Sequence, residues 1–437
     1  MTFSNEMLSS YEVSSDGLSI KYNNLILKQG TLYYTTTESI SLPLVNKWKH
    51  THVWHPTVKI IKSDSDVLDF IGLDHNVIDF ALYGDILWYG SIGHALYDEF
   101  YPLFLALIRF GLENQEFTLL APENLNKKTL FYEILTHFTK CEPINFYDTP
   151  PTLIKNLVAG NGNVGCTAIT KDYTLGNIKY DGLKKFKNRI YKSFSVEELD
   201  TSNQAINISI INNKRYSNEE RQVLNEIIKY YSTNNNVNID FTDWSHFPNF
   251  YEQLKKIKEI DIHVSGPGTG MLYAPLLKNY AVNINLGYME RSQTNGARPN
   301  IYIKDCPVED FIFPGWMEQS TCYAARHISN LFYDRYQNPT LEFSSLVSLI
   351  DNAIQLNRSK ILNNELNIDA KIFVEYCKRC NNPDQVCKFL ADSAFFIELF
   401  VCEHPYAVPK NIVDIELLRK IKREFNYNFN YDYTTNE

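Results

Sequence analysis

The sequence lacks any hydrophobic run approaching the about 20 residues that a membrane-spanning helix requires. It also lacks a basic block: the 437 residues carry a formal net charge of −9, which argues against a nucleic-acid binder. The first residues, MTFSNEMLSSYEVSSDG, contain neither the basic nor the apolar segment of a secretory signal. We therefore predict a cytoplasmic protein with no membrane span and no nucleic-acid partner.

Metal-binding patterns are also scarce. Structural zinc sites usually use two C-x-x-C pairs, and this chain has one, Cys377 and Cys380. We predict that the eight cysteines are reduced, buried thiols. The acidic D-x-D motif at Asp64 and Asp66 lies in a turn-rich stretch and is predicted to be a turn. The sequence thus predicts neither a bound metal nor a cofactor.

What the sequence does contain is an alternation of short apolar strands with helical periods, which is typical of an α/β fold with parallel sheets. The start of the chain is β-rich, with a hairpin predicted at Gln29-Gly30. The strand-helix alternation begins near residue 76 and restarts near residue 201. The predicted parts are a β-rich segment packing on the first domain (1–75), two Rossmann-like domains (76–200 and 201–338) and a helical C-terminal region (339–437).

The first stretch that could carry catalytic residues is GSIGHALYDEFYPLFLALIRFGL, which is predicted to be an apolar helix that begins with polar residues. In a continuous helix, His94 and Asp98 share a face, and Glu99 follows. Pro102 is predicted to kink this helix or to mark its first turn. The acids could simply complement the helix dipole. Alternatively, a His–Asp pair at a cleft can act as a general base.

The second stretch, VSGPGTGMLYAP, passes from a strand into a helix through three glycines. Glycines let a ligand approach the backbone, and the N–H groups at a helix start can hold a phosphate. A tight strand-to-helix turn also favours glycine, so the motif by itself is weak. The predicted ligand-contacting residues are Ser265, Gly266, Pro267, Gly268, Thr269 and Gly270.

The third stretch, NNKRYSNEERQVLNE, follows the first strand of the second half. Ser217 and Glu220 have the spacing of a capping box at a helix start. Lys214, Arg215 and Arg221 surround that start, where cations oppose the helix dipole. This placement indicates a bound anion such as a diphosphate, although surface salt bridges are the alternative interpretation.

Together these stretches resemble the glycosyltransferase family 61 group over roughly residues 90 to 290. GHALYDEFYPLF is similar to the family's His and Asp four residues apart before an apolar helix. ISIINNKRYSNEERQVLNE resembles its strand, Arg-containing turn and Asn-Glu helix, here with Arg215, Asn225 and Glu226. Two positions depart from the family pattern: Pro267 replaces the usual histidine of the glycine turn, and Asn285 replaces a glutamate. His263, four residues before Pro267, lies on the preceding strand.

The resemblance implies a GT-B architecture of two facing Rossmann-like domains and metal-independent transfer of a sugar with inversion. The donor would be a nucleotide sugar, with UDP preferred, and the acceptor a glycan hydroxyl. We predict Asp98 as the first choice for the general base, His94 as the second, and Glu99 as a third catalytic residue.

Lys214 and Arg215 would hold the diphosphate, and Tyr288, Glu290 and Arg291 would line the donor pocket. A GT-B epimerase, a non-catalytic glycan-binding protein and an oligomer interface in the helical region remain open.

Overall fold

The computed structural model describes fifteen stretches of the chain. They are residues 7–48, 52–86, 92–121, 125–139, 141–145, 147–160, 181–196, 205–234, 236–290, 311–313, 321–323, 325–335, 337–363, 366–381 and 414–426. The chain divides into two compact units: Met1–Val164 with Lys185–Glu197, and Gly165–Lys184 with Glu198–Glu437. Each unit combines helices with a sheet, so the predicted α/β class is confirmed.

The first unit is built on a nine-stranded mixed sheet. Its strands are β1 (Ser10–Val13), β2 (Ile20–Lys28), β3 (Thr31–Thr36), β6 (Thr57–Ile60), β7 (Asn76–Ile78), β8 (Ala81–Tyr83), β9 (Thr118–Ala121), β10 (Ile144–Asn145) and β11 (Thr152–Ala159), and a separate hairpin contains β4 (Val45–Trp48) and β5 (His52–Trp54). Its helices are α1 (Asp64–Ile71), a π-helical turn (His94–Phe100), α2 (Tyr101–Ile108), α3 (Leu130–Phe138) and most of α4 (Gly182–Ser193).

The main path through this sheet is β10-β9-β8-β11-β2-β3-β6. The pairs from β10 to β11 are parallel, and β2 joins β11 antiparallel. The predicted hairpin is present, because Gln29 and Gly30 both adopt the positive φ that a tight two-residue turn requires. The prediction separated residues 1–75 from 76–200; in the structure, strands from both segments hydrogen-bond within one sheet.

The predicted turn at the D-x-D motif is wrong. Asp64 and Asp66 occupy the first turn of α1, and Ser63 caps this helix by accepting a hydrogen bond from the Asp66 amide at 3.4 Å. Val67 and Ile71, one helical turn apart, are buried. A serine cap, acids in the first turn and apolar residues four apart favour a helix over a turn.

The second unit contains a five-stranded sheet and a two-stranded ribbon. The sheet strands are β12 (Ile206–Ile211), β13 (Val237–Thr242), β14 (Ile262–Ser265), β15 (Val282–Asn285) and β18 (Ser329–Phe332), and the ribbon strands are β16 (Tyr288–Glu290) and β17 (Phe311–Phe313). The helices are α5 (Asn218–Tyr231), α6 (Phe250–Glu259), α7 (Phe343–Ser359), α8 (Ile368–Arg379) and α9 (Ile415–Glu424), with 3₁₀ segments at Trp244–His246 and Thr269–Leu276.

This second sheet is parallel throughout and has the order β13-β12-β14-β15-β18. One face is apolar and packs against α5 and α7 in a single core that includes Ile210, Val264, Leu224 and Ile350. Helix α7 was predicted to belong to a separate C-terminal region, but its buried face is part of this core. The order corresponds to a doubly wound sheet, in which ligands bind where the strand order reverses.

Candidate functional site

The apolar helix of the first unit opens with a widened turn. The Tyr101 amide donates to the Leu96 carbonyl five residues back, as in a π-helix. Pro102 explains the widening, because its ring would collide with the Asp98 carbonyl in a regular α-helix. Pro102 lies in the first turn of α2, directly after the enlarged turn, so the second of the two alternatives predicted for it is confirmed.

This turn brings His94 and Asp98 into direct contact. His94 Nδ1 lies 2.5 Å from Asp98 Oδ2. The Asp98 side chain is 5% exposed, whereas that of His94 is 42% exposed. A buried carboxylate at Nδ1 favours the Nδ1–H tautomer, in which Nε2 is the basic nitrogen of the ring. Glu99 has no exposed surface and lacks the access to solvent that His94 has.

An aromatic cluster holds the widened turn in place. Phe100 packs against Phe131 and Phe138, with ring centroids 5.6 and 4.5 Å apart. Phe186 of α4 contacts both Phe100 and Phe104. Since all five rings are buried, the His94–Asp98 pair sits on a rigid base.

The second group of candidate residues lies at the carboxyl ends of β12 and β14, where the strand order of the second sheet reverses. The turn after β12 reaches the glycine turn directly. The Pro267 carbonyl accepts hydrogen bonds from Asn213 Nδ2 at 2.8 Å and from Arg215 Nη1 at 2.9 Å. The Gly266 amide donates to the hydroxyl of Tyr216 at 2.7 Å. The structure thus joins two of the three predicted stretches into one surface.

Within this surface the predicted residues have different environments. Lys214, Arg215 and Thr269 are exposed, while Ser265 and the Gly266–Gly268 backbone are buried. Arg221 donates to the Asn212 side chain and the Asn213 carbonyl, so it supports the turn that carries Arg215. Ser217 and Glu220 form the predicted capping box.

The remaining predicted donor-site residues follow β15. Tyr288 and Glu290 lie on β16, which pairs antiparallel with β17. Arg291 lies outside the described residues. The helix predicted after the glycine turn is present as a 3₁₀ helix containing Pro275.

Gly268 is the glycine most tightly constrained by this arrangement. Its φ is +124°, and an added Cβ would lie 2.5 Å from Arg215 Nη1. We expect Gly268→Ala to displace the Arg215 guanidinium and to destabilise the second unit by about 1–3 kcal/mol. Urea unfolding of the variant and the parent measures the change in the free energy of unfolding.

Gly72→Ala is the matched control, because Gly72 also has a positive φ, +96°, but has nothing within 4 Å of an added Cβ. An equal loss of stability in both variants would contradict the role of the Arg215 contact and leave backbone strain as the whole effect.

Arg335 is a buried residue that the sequence reasoning missed. Its guanidinium is 2% exposed and lies 2.6 Å from Glu220 Oε1. It also donates to the carbonyls of Leu286, Gly287 and Pro339. Arg335 therefore connects the start of α5 with the chain that follows β15. A lone arginine between two elements gives no sequence signal of this role.

The face of the second sheet opposite α5 and α7 carries a buried polar row. His263, Asn283 and Asn330 are register partners on β14, β15 and β18. Asn330 Nδ2 donates to the Cys322 carbonyl, and Asn283 Nδ2 donates to Asn330 Oδ1, both at 3.2 Å. Asn283 Oδ1 therefore faces His263 Nδ1 at 2.9 Å, which requires the Nδ1–H tautomer.

His263 is neutral for a clear physical reason. Burial lowers its pKa to about 4, against the opposing hydrogen bond to Asn283. It is completely buried on the strand and does not reach the surface beside Pro267. His263 belongs to the buried polar row on β14, the strand that precedes the glycine turn.

The sequence predicted buried thiols, no bound metal and no membrane-spanning helix. Cys322 and Cys380 are buried, and burial raises the pKa of the Cys380 thiol, but Cys141 is exposed, so the prediction of buried thiols is wrong at that position. Cys377 lies on α8, and Cys380 follows the last residue of that helix. Within the described stretches, no three His, Cys, Asp or Glu side chains converge as metal ligands. No helix in those stretches is long and apolar enough to cross a membrane.

Comparison with known proteins adds no further constraint on the two groups of residues. No protein-family model matches the sequence, and no curated protein matches it significantly.

Proposed function

We propose that the protein is an inverting, metal-independent glycosyltransferase that moves a sugar from a nucleotide-sugar donor, with UDP as the preferred nucleotide, to a glycan hydroxyl. The observation that carries this proposal is the strand-order reversal in the second sheet. There the exposed Lys214 and Arg215 stand beside the glycine turn. Cations and backbone N–H groups at such a point suit a diphosphate.

The proposed architecture is GT-B, and the proposed place of action is the cytoplasm. The resemblance to glycosyltransferase family 61 supports the reaction class, because it covers the residues of both units. Arg215 and Lys214 would neutralise the charge that develops on the leaving diphosphate, which is the group a metal would otherwise stabilise.

The first unit would activate the acceptor. The sequence favoured Asp98 as the base, but the contact geometry favours His94. The Asp98 carboxylate is buried and bound to Nδ1, while His94 is exposed enough to meet an acceptor. In this arrangement His94 Nε2 takes the proton from the hydroxyl, and Asp98 stabilises the resulting imidazolium. Glu99, which is buried, would support the π-helical turn that carries His94 and Asp98.

A thermal-shift screen tests the donor assignment. A nucleotide at 100 times its Kd should add about 2.7 kcal/mol to the stability of the folded chain. We expect stabilisation by UDP or another nucleoside diphosphate that EDTA leaves unchanged. Arg215→Gln should weaken binding at least about tenfold, because it removes the cation beside the Pro267 carbonyl.

Lys229→Gln is the control, since Lys229 is an exposed cation in the last turn of α5. Stabilisation by no nucleotide at all would overturn the transferase and favour the glycan-binding alternative. Conversion of a free nucleotide sugar without an acceptor would instead identify a GT-B epimerase.

A further inference from the structure

A second candidate site lies at the amino ends of the strands of the second sheet, whereas the glycine turn lies at their carboxyl ends. Strands β15 and β18 are parallel, so both begin at the end of the sheet that is remote from the glycine turn. The Tyr280 amide, two residues before β15, donates to the His327 carbonyl, two residues before β18, at 2.8 Å. This bond joins the two strand starts, and both residues line a pocket.

The pocket encloses about 230 Å³. Its walls include Asp181, Lys184, Tyr280, Arg326 and His327, all of which belong to the second unit. A cavity needs about 10–15 Å³ of this kind of volume to hold one water, so the pocket has room for several waters. The space therefore suits a small ligand such as a phosphate ester or a short carboxylic acid.

The charges on the pocket walls favour an anion. Lys184 and Arg326 are cationic, and the acid in the lining, Asp181, lies 3.7 Å from Lys184. One positive charge is left over when His327 is neutral. This local excess stands out in a chain whose formal net charge is −9. An anionic ligand would be attracted here and repelled by much of the remaining surface.

Arg326 is positioned as a ligand donor. Its guanidinium carbon lies 4.3 Å from the centre of the Tyr323 ring, a cation–π contact that restricts the side chain. Its Nε is buried and has no hydrogen-bond partner among the described residues. Because arginine stays protonated, this N–H is a permanent donor, and native structures rarely leave such a buried donor unsatisfied.

We propose that this pocket binds a small oxyanion, a phosphate or carboxylate group that accepts a hydrogen bond from Arg326 Nε and pairs with the Lys184 ammonium. The planar guanidinium presents neighbouring N–H groups that match two oxygens of either group. The site is separate from the proposed donor site, since the glycine turn follows the carboxyl ends of β12 and β14, whereas the pocket lies at the amino ends of β15 and β18.

Calorimetric titration of the full chain tests the proposal. Inorganic phosphate and acetate are titrated separately at constant ionic strength, which distinguishes the two kinds of oxyanion. We expect at least one of them to bind, and Arg326→Gln and Lys184→Gln each to weaken that binding at least about tenfold. Lys360→Gln should leave it unchanged, because Lys360 contacts the Tyr280 ring at 5.9 Å without lining the pocket.

Arg215→Gln separates this site from the proposed function. Binding that survives Arg215→Gln but not Arg326→Gln supports the pocket, whether or not nucleotides bind. Binding lost only in Arg215→Gln places the anion at the glycine turn and overturns the pocket, as does an equal loss in Lys360→Gln. Absence of binding by both anions also overturns it. Should Arg326→Gln fail to fold, Lys184→Gln decides, because the Lys184 side chain is 42% exposed and changing it preserves the core.

Discussion

His94→Ala should slow sugar transfer by about 10²–10⁴-fold, the usual contribution of a general base. The imidazole is the exposed member of the pair, and Asp98 Oδ2 holds its Nδ1 at 2.5 Å. In the proposed mechanism, removing it leaves the acceptor hydroxyl without a proton acceptor, while the proposed nucleotide site lies in the other unit. The loss should therefore appear in kcat, measured with the donor and acceptor identified by the screen, and nucleotide affinity should be retained.

Asp98→Asn tests whether Asp98 sets the tautomer of His94. An asparagine can turn its NH₂ group toward Nδ1, which then becomes an acceptor and leaves the proton on Nε2. We expect a rate loss comparable to that of His94→Ala. His137→Ala is the control, because His137 is an exposed histidine of α3 that stacks on Phe194. Folded His94 and Asp98 variants that transfer sugar at the parental rate would contradict the assignment.

Arg335→Met should destabilise the second unit by about 3–5 kcal/mol, the usual result of removing one partner of a buried ion pair. Glu220 would be left with an uncompensated charge near the start of α5, and the carbonyls of Leu286 and Gly287 would each lose a donor. Urea unfolding, with hydrogen exchange of the amides in β12, β14 and β15, measures the loss in this unit separately from the first.

An exposed ion pair supplies the comparison. Arg419 and Glu416 lie 2.8 Å apart on α9, but their side chains are 40% and 76% exposed. Arg419→Met should therefore cost less than about 1 kcal/mol, because water already screens the pair. If the two variants lost equal stability, the argument from burial would be wrong.

Local features of this fold were predictable from sequence because local chemistry determines them. Gln29-Gly30 between alternating strands fixes a hairpin, and Ser217 with Glu220 fixes a helix start. Pro102 was predicted to kink the helix or to mark its first turn, and it lies in the first turn of α2, after an enlarged turn. Only the surrounding packing, here the rings around Phe100, chooses between them.

Features that depend on distant parts of the chain were not predictable. The contact of Arg215 with the Pro267 carbonyl joins residues 52 positions apart, and that of Arg335 with Glu220 joins residues 115 positions apart. Asp98 looked like the better base in sequence because its burial was not visible there. The proposed roles of these residues remain predictions for the experiments above.

The buried polar row also bears on how the second sheet selects its strand pairing during folding. Side chains alternate between the two faces of a strand, so a slip of one residue would exchange those faces. Such a slip in β15 would turn Asn283 toward the apolar core of α5 and α7 and break its bonds to His263 and Asn330. The native offset is therefore the one in which the side-chain amides of Asn283 and Asn330 both keep their hydrogen bonds.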